Sequence, residues 1–378
     1  MIRLIPKIPA YRMFRQFGFP KLYPLNFTVS VTYKCNSRCR TCNIYQKKTD
    51  EFTLEEFDKT LRSIGRGPYW FTMSGGEPFL RKDIVEICRS VYENCRPRII
   101  NIPTNGILCD VIPEKVERIV KNSAGSKVII NISFDELGKR HDEIRNVRDN
   151  FVRAKETFMR LKALCLPNLT VGIHTVISRF NVNNFQGVYE ELNMMNPDSY
   201  ITEIAEERVE LGNLGWDITP SLEDYTRAID FLTERIKQKK HNGISDITQA
   251  FRLQYYGLVK RLLKEKRQVL PCYAGYISAQ IAPDGEVWAC CIRAESMGNL
   301  REAGYDFGKV WFSKKAQEIR KRILEKRCYC PLANAGYTNM LVSYRTMTAI
   351  AADIAKRRIK RFMQGDYGKV HRDAEDYR

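Results

Sequence analysis

The sequence predicts an α/β fold in which six strand–helix units build a parallel sheet, followed by a smaller segment of different character. Two observations carry this. Short β-branched runs alternate with amphipathic helical stretches from residue 26 to about residue 212, where the alternation stops. The turns after the strands collect cysteine, glycine, asparagine and acidic residues, and the carboxyl ends of barrel strands are where function gathers. Six units fall short of the eight that close a barrel.

The elements follow in order. Residues 1–25 read as an extension. There Ile2, Leu4, Ile5, Ile8, Tyr11, Phe14, Phe17 and Phe19 alternate with basic residues, and Pro6, Pro9, Pro20 and Pro24 break any long helix. Residues 26–32 (NFTVSVT) are a buried strand. Thr53 and Glu56 stand at capping-box spacing before a helix that runs toward Ile64 and stops at Gly65 and Gly67. Further strands are expected at 69–73, 98–102, 127–133, 169–177 and 200–205, with helices at 82–94, 113–121, 151–164 and 184–194. Beyond Gly212 come helices at 222–239 and 247–266 and a cysteine-bearing segment at 271–337. A basic helix follows at 344–364. Its stripe is Met347, Ala351, Ile354, Ala355, Ile359 and Phe362, beside Lys356, Arg357, Arg358, Lys360 and Arg361. The expected divisions are the extension 1–25, a core 26–215, a helical linker 216–267, a cysteine-bearing domain 268–337, and the basic helix and tail 338–378.

With 378 residues, 44% of them hydrophobic, the chain can bury a proper core and is not disordered by composition. Twelve cysteines would suit a secreted disulfide framework. Against that, the first residues carry scattered charges and no apolar signal core, and no run is apolar enough to span a bilayer. The compartment therefore reads as a reducing cytoplasm, with most cysteines as metal ligands. Cys88, Cys95, Cys109 and Cys165 lack partner spacing and read as small buried hydrophobes. Net charge is +18, and ten basic residues from Arg3 to Lys48 precede the first acidic one, Asp50. Such a field favours anionic partners, or is simply a solvated face.

The chemistry-bearing stretch is 31–45, VTYKCNSRCRTCNIY. Cys35, Cys39 and Cys42 stand in the spacing CxxxCxxC. Thiolates at this density hold zinc or an iron–sulfur cluster. A structural zinc site is closed by four ligands, and no fourth cysteine or histidine stands nearby. After the second strand comes Ser74-Gly75-Gly76-Glu77-Pro78, where two glycines permit close backbone approach to a ligand and Glu77 offers a carboxylate to a cation. The third strand is followed by Thr104-Asn105-Gly106. The fourth ends in Ser133-Phe134-Asp135, a hydroxyl and a carboxylate on one strand face. Asp135 could otherwise cap the next helix. In the later segment, Cys272, Cys290, Cys328 and Cys330 could form a closed four-sulfur site. A hairpin turning at Pro283-Asp284-Gly285 would bring Cys272 and Cys290 together. The doublet Cys290–Cys291 leaves the fourth ligand open between Cys291 and Cys328 or Cys330.

CxxxCxxC after a strand, with GGEP one unit later, resembles the signature of the radical S-adenosylmethionine (radical SAM) enzymes. The resemblance runs from about Asn26 to Tyr337. It implies a partial (β/α)6 TIM-like barrel, then a small hairpin-plus-helix auxiliary domain like the twitch or SPASM extension, and the C-terminal basic helix. It implies a SAM-binding 4Fe–4S cluster on Cys35, Cys39 and Cys42, a second auxiliary iron–sulfur cluster on Cys272, Cys290, Cys328 and Cys330, and SAM itself. It implies SAM contacts from Gly75, Gly76, Glu77, Asn105, Ser133, Asp135 and Arg145. The last lies in His141-Asp142-Glu143-Ile144-Arg145, which resembles the family's HDxIR; His141 could equally be a surface histidine. Thr41 departs from the family, where an aromatic often precedes the third cysteine.

The resemblance implies reductive cleavage of SAM, fed by a low-potential donor of flavodoxin or ferredoxin type, and hydrogen abstraction from a substrate. An auxiliary cluster favours an oxidoreductase-type outcome. The basic field points to a small anionic or nucleotide-sugar-like metabolite. A peptide is the alternative, although residues 1–25 are short for a leader-binding domain. A lipid-linked substrate, with peripheral membrane contact through the basic ends, is a third option. No specific nucleic acid is expected. The rival of another class is a zinc-stabilised nucleic-acid-binding protein.

Overall fold

The expected extension contains a helix. In the computed structural model, which describes residues 2–238 and 244–363, α1 spans Ile8–Phe17. Pro9 sits in its first turn, where a missing N–H costs nothing, and Gly18 closes it at φ +73°. The prolines therefore delimit this helix and do not prevent it. Leu4, Ile8, Tyr11 and Phe14 are buried against Tyr273, Tyr276, Ile277 and Val342, far along the chain.

The alternation then unfolds as β1 (Asn26–Thr32), α2 (Leu54–Ile64), β2 (Trp70–Gly75), α3 (Ile84–Cys95), β3 (Ile99–Thr104), α4 (Ile112–Asn122) and β4 (Lys127–Ser133). It continues as α5 (Gly138–Arg145), α6 (Asn150–Ala163), β5 (Leu169–Ile177), α7 (Phe185–Asn193) and β6 (Ser199–Ile204). The capping box forms: the Glu56 amide donates to Thr53 Oγ1, and the Thr53 amide to Glu56 Oε2. After α8 (Leu222–Gln238) and α9 (Ile244–Glu265) come β7 (Ser278–Ile281), β8 (Glu286–Trp288) and β9 (Ser296–Asn299). The last elements among the described residues are α10 (Phe307–Trp311), α11 (Lys314–Leu324), α12 (Ala333–Val342) and α13 (Tyr344–Met363).

The strands form one sheet in the order β6-β5-β4-β3-β2-β1-β7-β8-β9. Neighbours from β6 to β7 pair in parallel; β8 and β9 turn back antiparallel. The cysteine-bearing segment is thus stitched to the edge of β1. Ala282–Gly285 makes the expected hairpin turn, with Gly285 at φ +85°. One face of the sheet is apolar and covered by helices: Ile100, Ile102, Val128, Ile130, Ile132, Val171 and Ile173 are all buried. The opposite face carries polar side chains. Asn131 registers with Gly172, and Gly172 with Ser199; one level up, Ser133 registers with His174. A wholly packed barrel would place branched apolar residues there.

Cys88 and Cys95 are buried, as small hydrophobes should be. Cys109 and Cys165 are not: Cys109 is half-buried after β3, and Cys165 is exposed at φ +47° after α6, because both fall in turns. In α13, Met347, Ile350 and Ile354 pack on the core. The side chains of Arg358, Lys360, Arg361 and Phe362, and the tail beyond Met363, lie outside the described residues. Among the described residues no helix is long and apolar enough to cross a membrane.

Candidate active site

The cysteine loop leaves β1 and is tied down on all sides. Thr32 and Lys34 carbonyls accept the amides of Gly76 (2.7 Å) and Glu77 (2.9 Å). Arg38 and Arg40 amides donate to the Arg145 (3.1 Å) and Ile144 (2.8 Å) carbonyls at the end of α5. Asn105 Nδ2 donates to Asn36 Oδ1 at 2.7 Å and Ser37 Oγ at 3.2 Å. Beyond β6, Leu211 accepts the Asn43 amide, and Asn213 donates to the Thr41 carbonyl at 2.8 Å.

The two glycines earn their places here, against the protein's own backbone. A Cβ on Gly75 would stand 2.1 Å from the Thr32 carbonyl oxygen, and one on Gly76 2.1 Å from that of Lys34. Only glycine lets β2 run this close to the cysteine loop. Glu77 is 1% exposed. Its carboxylate accepts from the Phe79 amide (3.2 Å), Thr104 Oγ1 (2.8 Å) and the Asn105 amide (2.8 Å), so it welds the ends of β2 and β3. A carboxylate has about four acceptor positions, so room for one further donor remains. Burial pushes its carboxyl up to about 7.

Asp135 does not cap the helix after β4, whose N-cap is Leu137. It lies buried with Oδ2 2.7 Å from Arg145 Nε, while Oδ1 accepts the Val176 amide at 3.1 Å. Arg145 also reaches Cys39, with Nη1 3.9 Å from Sγ. His141 is not a surface residue: it is fully buried, its Nδ1 accepting the Asp135 amide at 3.2 Å and its Nε2 3.3 Å from Asn150 Oδ1. Ser133 is half-buried beside this group, registered with His174.

Burial raises all three loop thiols, Cys35 to about 11 and Cys42 to about 12. Arg145 alone cannot hold three thiolates; a bound cationic centre can. Sulfurs around one tetrahedral zinc lie roughly 3.8 Å apart, from zinc–sulfur bonds of about 2.3 Å. Among the described residues the one trio of ligand atoms within 4.8 Å of each other is Cys109, Asp110 and Glu156, and Arg160 already pairs with both acids.

The later cysteines gather likewise. Cys272 precedes β7, Cys290 follows β8, and Cys328 and Cys330 precede α12. Burial, with Cys290 and Cys328 beside it, raises Cys272 to about 12; Cys330 is raised by burial, Glu206, Cys272 and Cys290. Cys291 is buried beside Arg208 and Glu210 and packs with Cys290, Cys330, Leu332 and Ala335. Arg15 of α1 donates to the Cys272 carbonyl at 2.9 Å.

Residues 29–192 match the model of the radical SAM superfamily, and residues 272–331 that of an iron–sulfur cluster-binding domain, SPASM. The chain carries a radical SAM domain followed by a SPASM domain. The enzyme's cofactors are accordingly a SAM-binding 4Fe–4S cluster, an auxiliary iron–sulfur cluster and SAM. This sets aside the zinc-stabilised nucleic-acid-binding reading. The enzyme is 23% identical over 326 residues to the antilisterial bacteriocin subtilosin biosynthesis protein AlbA of Bacillus subtilis, covering 81% of this chain and 66% of that one, just under two thirds. It is 26% identical over 303 residues to a probable GTP 3′,8-cyclase of Saccharolobus solfataricus, covering 75% of this chain and 87% of the relative. Its fold resembles Streptococcus suis SuiB bound to S-adenosylmethionine, with a TM-score of 0.60 at 16% identity, covering 82% of this chain and 71% of SuiB. SuiB is also known in a structure bound to the precursor peptide SuiA.

The sequence reading missed the end of β6 and the segment that follows it. There Glu203, Glu206, Arg208, Glu210 and Asn213 converge on the inner face of the barrel. Arg208 Nη2 lies 2.9 Å from Glu206 and 3.6 Å from Glu203, and Glu203 lies 3.8 Å from His174. The available signal was the acidic run EIAEERVE at the carboxyl end of a strand.

Proposed function

We propose that this enzyme modifies a peptide, taking a hydrogen atom from an unreactive carbon of a residue held in the barrel lumen. The observation that carries this reading is the similarity to AlbA, which runs through the barrel and on into the SPASM segment. The lumen supports it: Glu203, Glu206 and Glu210 stand at the strand ends around Arg208, a poor reception for the anionic metabolite that the overall charge suggests.

In this reading Cys35, Cys39 and Cys42 would hold the SAM cluster with their three thiolates. Glu77 offers its remaining acceptor position to the SAM ammonium, while Gly75, Gly76 and Asn105 fix the loop around it. Ser133 and Asp135 face the ribose, and Arg145, braced by Asp135, sets the charge beside Cys39. Cys272, Cys290, Cys328 and Cys330 hold the auxiliary cluster, and Cys291 serves the Arg208 network. When bound, the cluster and SAM would supply radical chemistry, fed by an electron from a flavodoxin- or ferredoxin-type donor. The protein positions the target carbon and excludes water and oxygen. An auxiliary cluster near the substrate makes a net oxidation the expected outcome.

The test is anaerobic incubation of the holoenzyme with SAM and reductant against two panels, synthetic short peptides that together present every side-chain type and the nucleoside triphosphates, GTP included. The reading expects 5′-deoxyadenosine formation stimulated by a peptide, with loss of hydrogen from that peptide by mass spectrometry. Stimulation by nucleotides alone would overturn it.

A further inference from the structure

The inner face of β4–β6 is a track of polar atoms without hydrogen-bond partners. Asn131 Oδ1, Ser199 Oγ, His174 Nε2 and Glu206 Oε2 are all buried and accept or donate no hydrogen bond. Asn131 and Ser199 flank Gly172, whose missing side chain leaves the space between them; His174 stands one level higher on β5, and Glu203 and Glu206 close the top. Buried polar groups in native proteins are almost always satisfied, so four orphans on one face mark a place for something else. Asn131 Oδ1 can only accept, and so can Glu206 Oε2 once its carboxyl, raised by burial to about 7, is ionised.

Charge points the same way. Glu203, Glu206 and Glu210 all face one guanidinium, Arg208. Arg208 spends Nε and Nη2 on Glu206 Oε1, leaving Oε2 open in a residue 6% exposed. Glu210 is engaged by Ser30 Oγ at 2.8 Å and by Gln280. The next guanidinium, Arg252 of α9, turns to Gln249 and Tyr337. The lumen keeps excess negative charge and excess acceptors, and a guest bearing an ammonium or guanidinium supplies both deficits.

We propose that Glu206 and Glu203, at the head of the β4–β6 inner face, form a binding site for an amine- or guanidinium-bearing side chain of the substrate. This rests on the reading of the lumen as the reaction site of a peptide-modifying enzyme. The carboxylates act as specificity determinants: they set which residue of the peptide enters, and leave the radical step to the cofactors. A charge-assisted contact of this kind outweighs a neutral one.

The experiment is equilibrium binding to the reconstituted, SAM-loaded holoenzyme under anaerobic conditions. The probes are N-acetyl-lysine methylamide, its neutral counterpart N-acetyl-norleucine methylamide, N-acetyl-glutamate methylamide and n-butylamine. The lysine probe should bind roughly tenfold or more tighter than norleucine, with glutamate weakest. Glu206→Gln and, separately, Glu203→Gln should remove that preference. Equal binding of lysine and norleucine in the wild type, which no folding defect can produce, overturns the site, as does an unchanged preference in both folded variants. Binding of n-butylamine as tight as the lysine probe, and equally dependent on Glu206, supports the site while speaking against the peptide reading.

Discussion

Gly76→Ala tests the packing that shapes the cluster loop. The new Cβ would lie 2.1 Å from the Lys34 carbonyl oxygen, 2.7 Å from its carbon and 2.8 Å from the Tyr33 oxygen. All three are backbone atoms, so no side chain can rotate away; the loop must shift by more than 1 Å to reach van der Waals contact at about 3.4 Å. Overpacking of this kind costs about 1–3 kcal/mol. The shift also stretches the Gly76–Thr32 and Glu77–Lys34 hydrogen bonds, worth about 1 kcal/mol each. The sum, roughly 3–5 kcal/mol, falls on the segment that carries Cys35, Cys39 and Cys42. Anaerobically purified Gly76→Ala should therefore lose the iron of the SAM cluster and 5′-deoxyadenosine formation, yet keep the auxiliary iron. Gly257→Ala is the control. Nothing lies within 4 Å of its Cβ position inside α9, and alanine there should be neutral or stabilising by up to about 1 kcal/mol. Full iron content and undiminished SAM cleavage in Gly76→Ala would refute the reasoning.

Two further substitutions probe the frame. Burial lowers His141 from 6.5 to about 4, so the unfolded chain binds its proton first: the stability this residue contributes is complete above about pH 6.5 and is lost as pH falls through 4. Between pH 7 and pH 5 that is about 2 kcal/mol, and His141→Gln should flatten the wild-type loss by that amount in urea titrations. Equal slopes would contradict the burial argument. Arg320 is buried among Trp311, Phe14 and Tyr276, 4.4, 5.2 and 5.6 Å from their ring centres, and donates to the Gly275 and Trp311 carbonyls. Arg320→Lys loses the planar fork and should lower stability by about 2–3 kcal/mol in thermal melts, with looser retention of auxiliary iron because Gly275 follows Cys272 closely. An unchanged melt would show that the cage needs only a positive charge.

Much of the fold was legible where local signals were unambiguous. The bounds expected for β1, β4 and β5 coincide with those observed, since each is a β-branched run ended by polar or turn residues. The capping box placed α2. Helix α1 was hidden because Pro9 breaks a helix interior but suits its first turn. Helix α5, GKRHDEIR, has no apolar stripe and exists because His141 and Arg145 are gripped by Asp135. The pairing of β7 with β1 joins residues about 250 apart, beyond any local periodicity. At the site, spacing identified the cysteines and GGEP, but not what the glycines approach, nor that the carboxylates of Glu77 and Asp135 already hold internal donors. That Cys291 stands beside Arg208 and Glu210 as well as Cys290 was beyond the reach of local spacing.

The central claim is that Cys35, Cys39 and Cys42 carry the cluster that cleaves SAM, while a second cluster sits on the later cysteines. The most direct measurement is iron content together with 5′-deoxyadenosine formation in the wild type and in the triple variant Cys35→Ala, Cys39→Ala, Cys42→Ala, both reconstituted anaerobically with SAM and dithionite. The wild type should hold about eight irons, two 4Fe–4S clusters, and form 5′-deoxyadenosine. The triple variant should keep about four irons and form none. A triple variant that still produces 5′-deoxyadenosine would contradict the account.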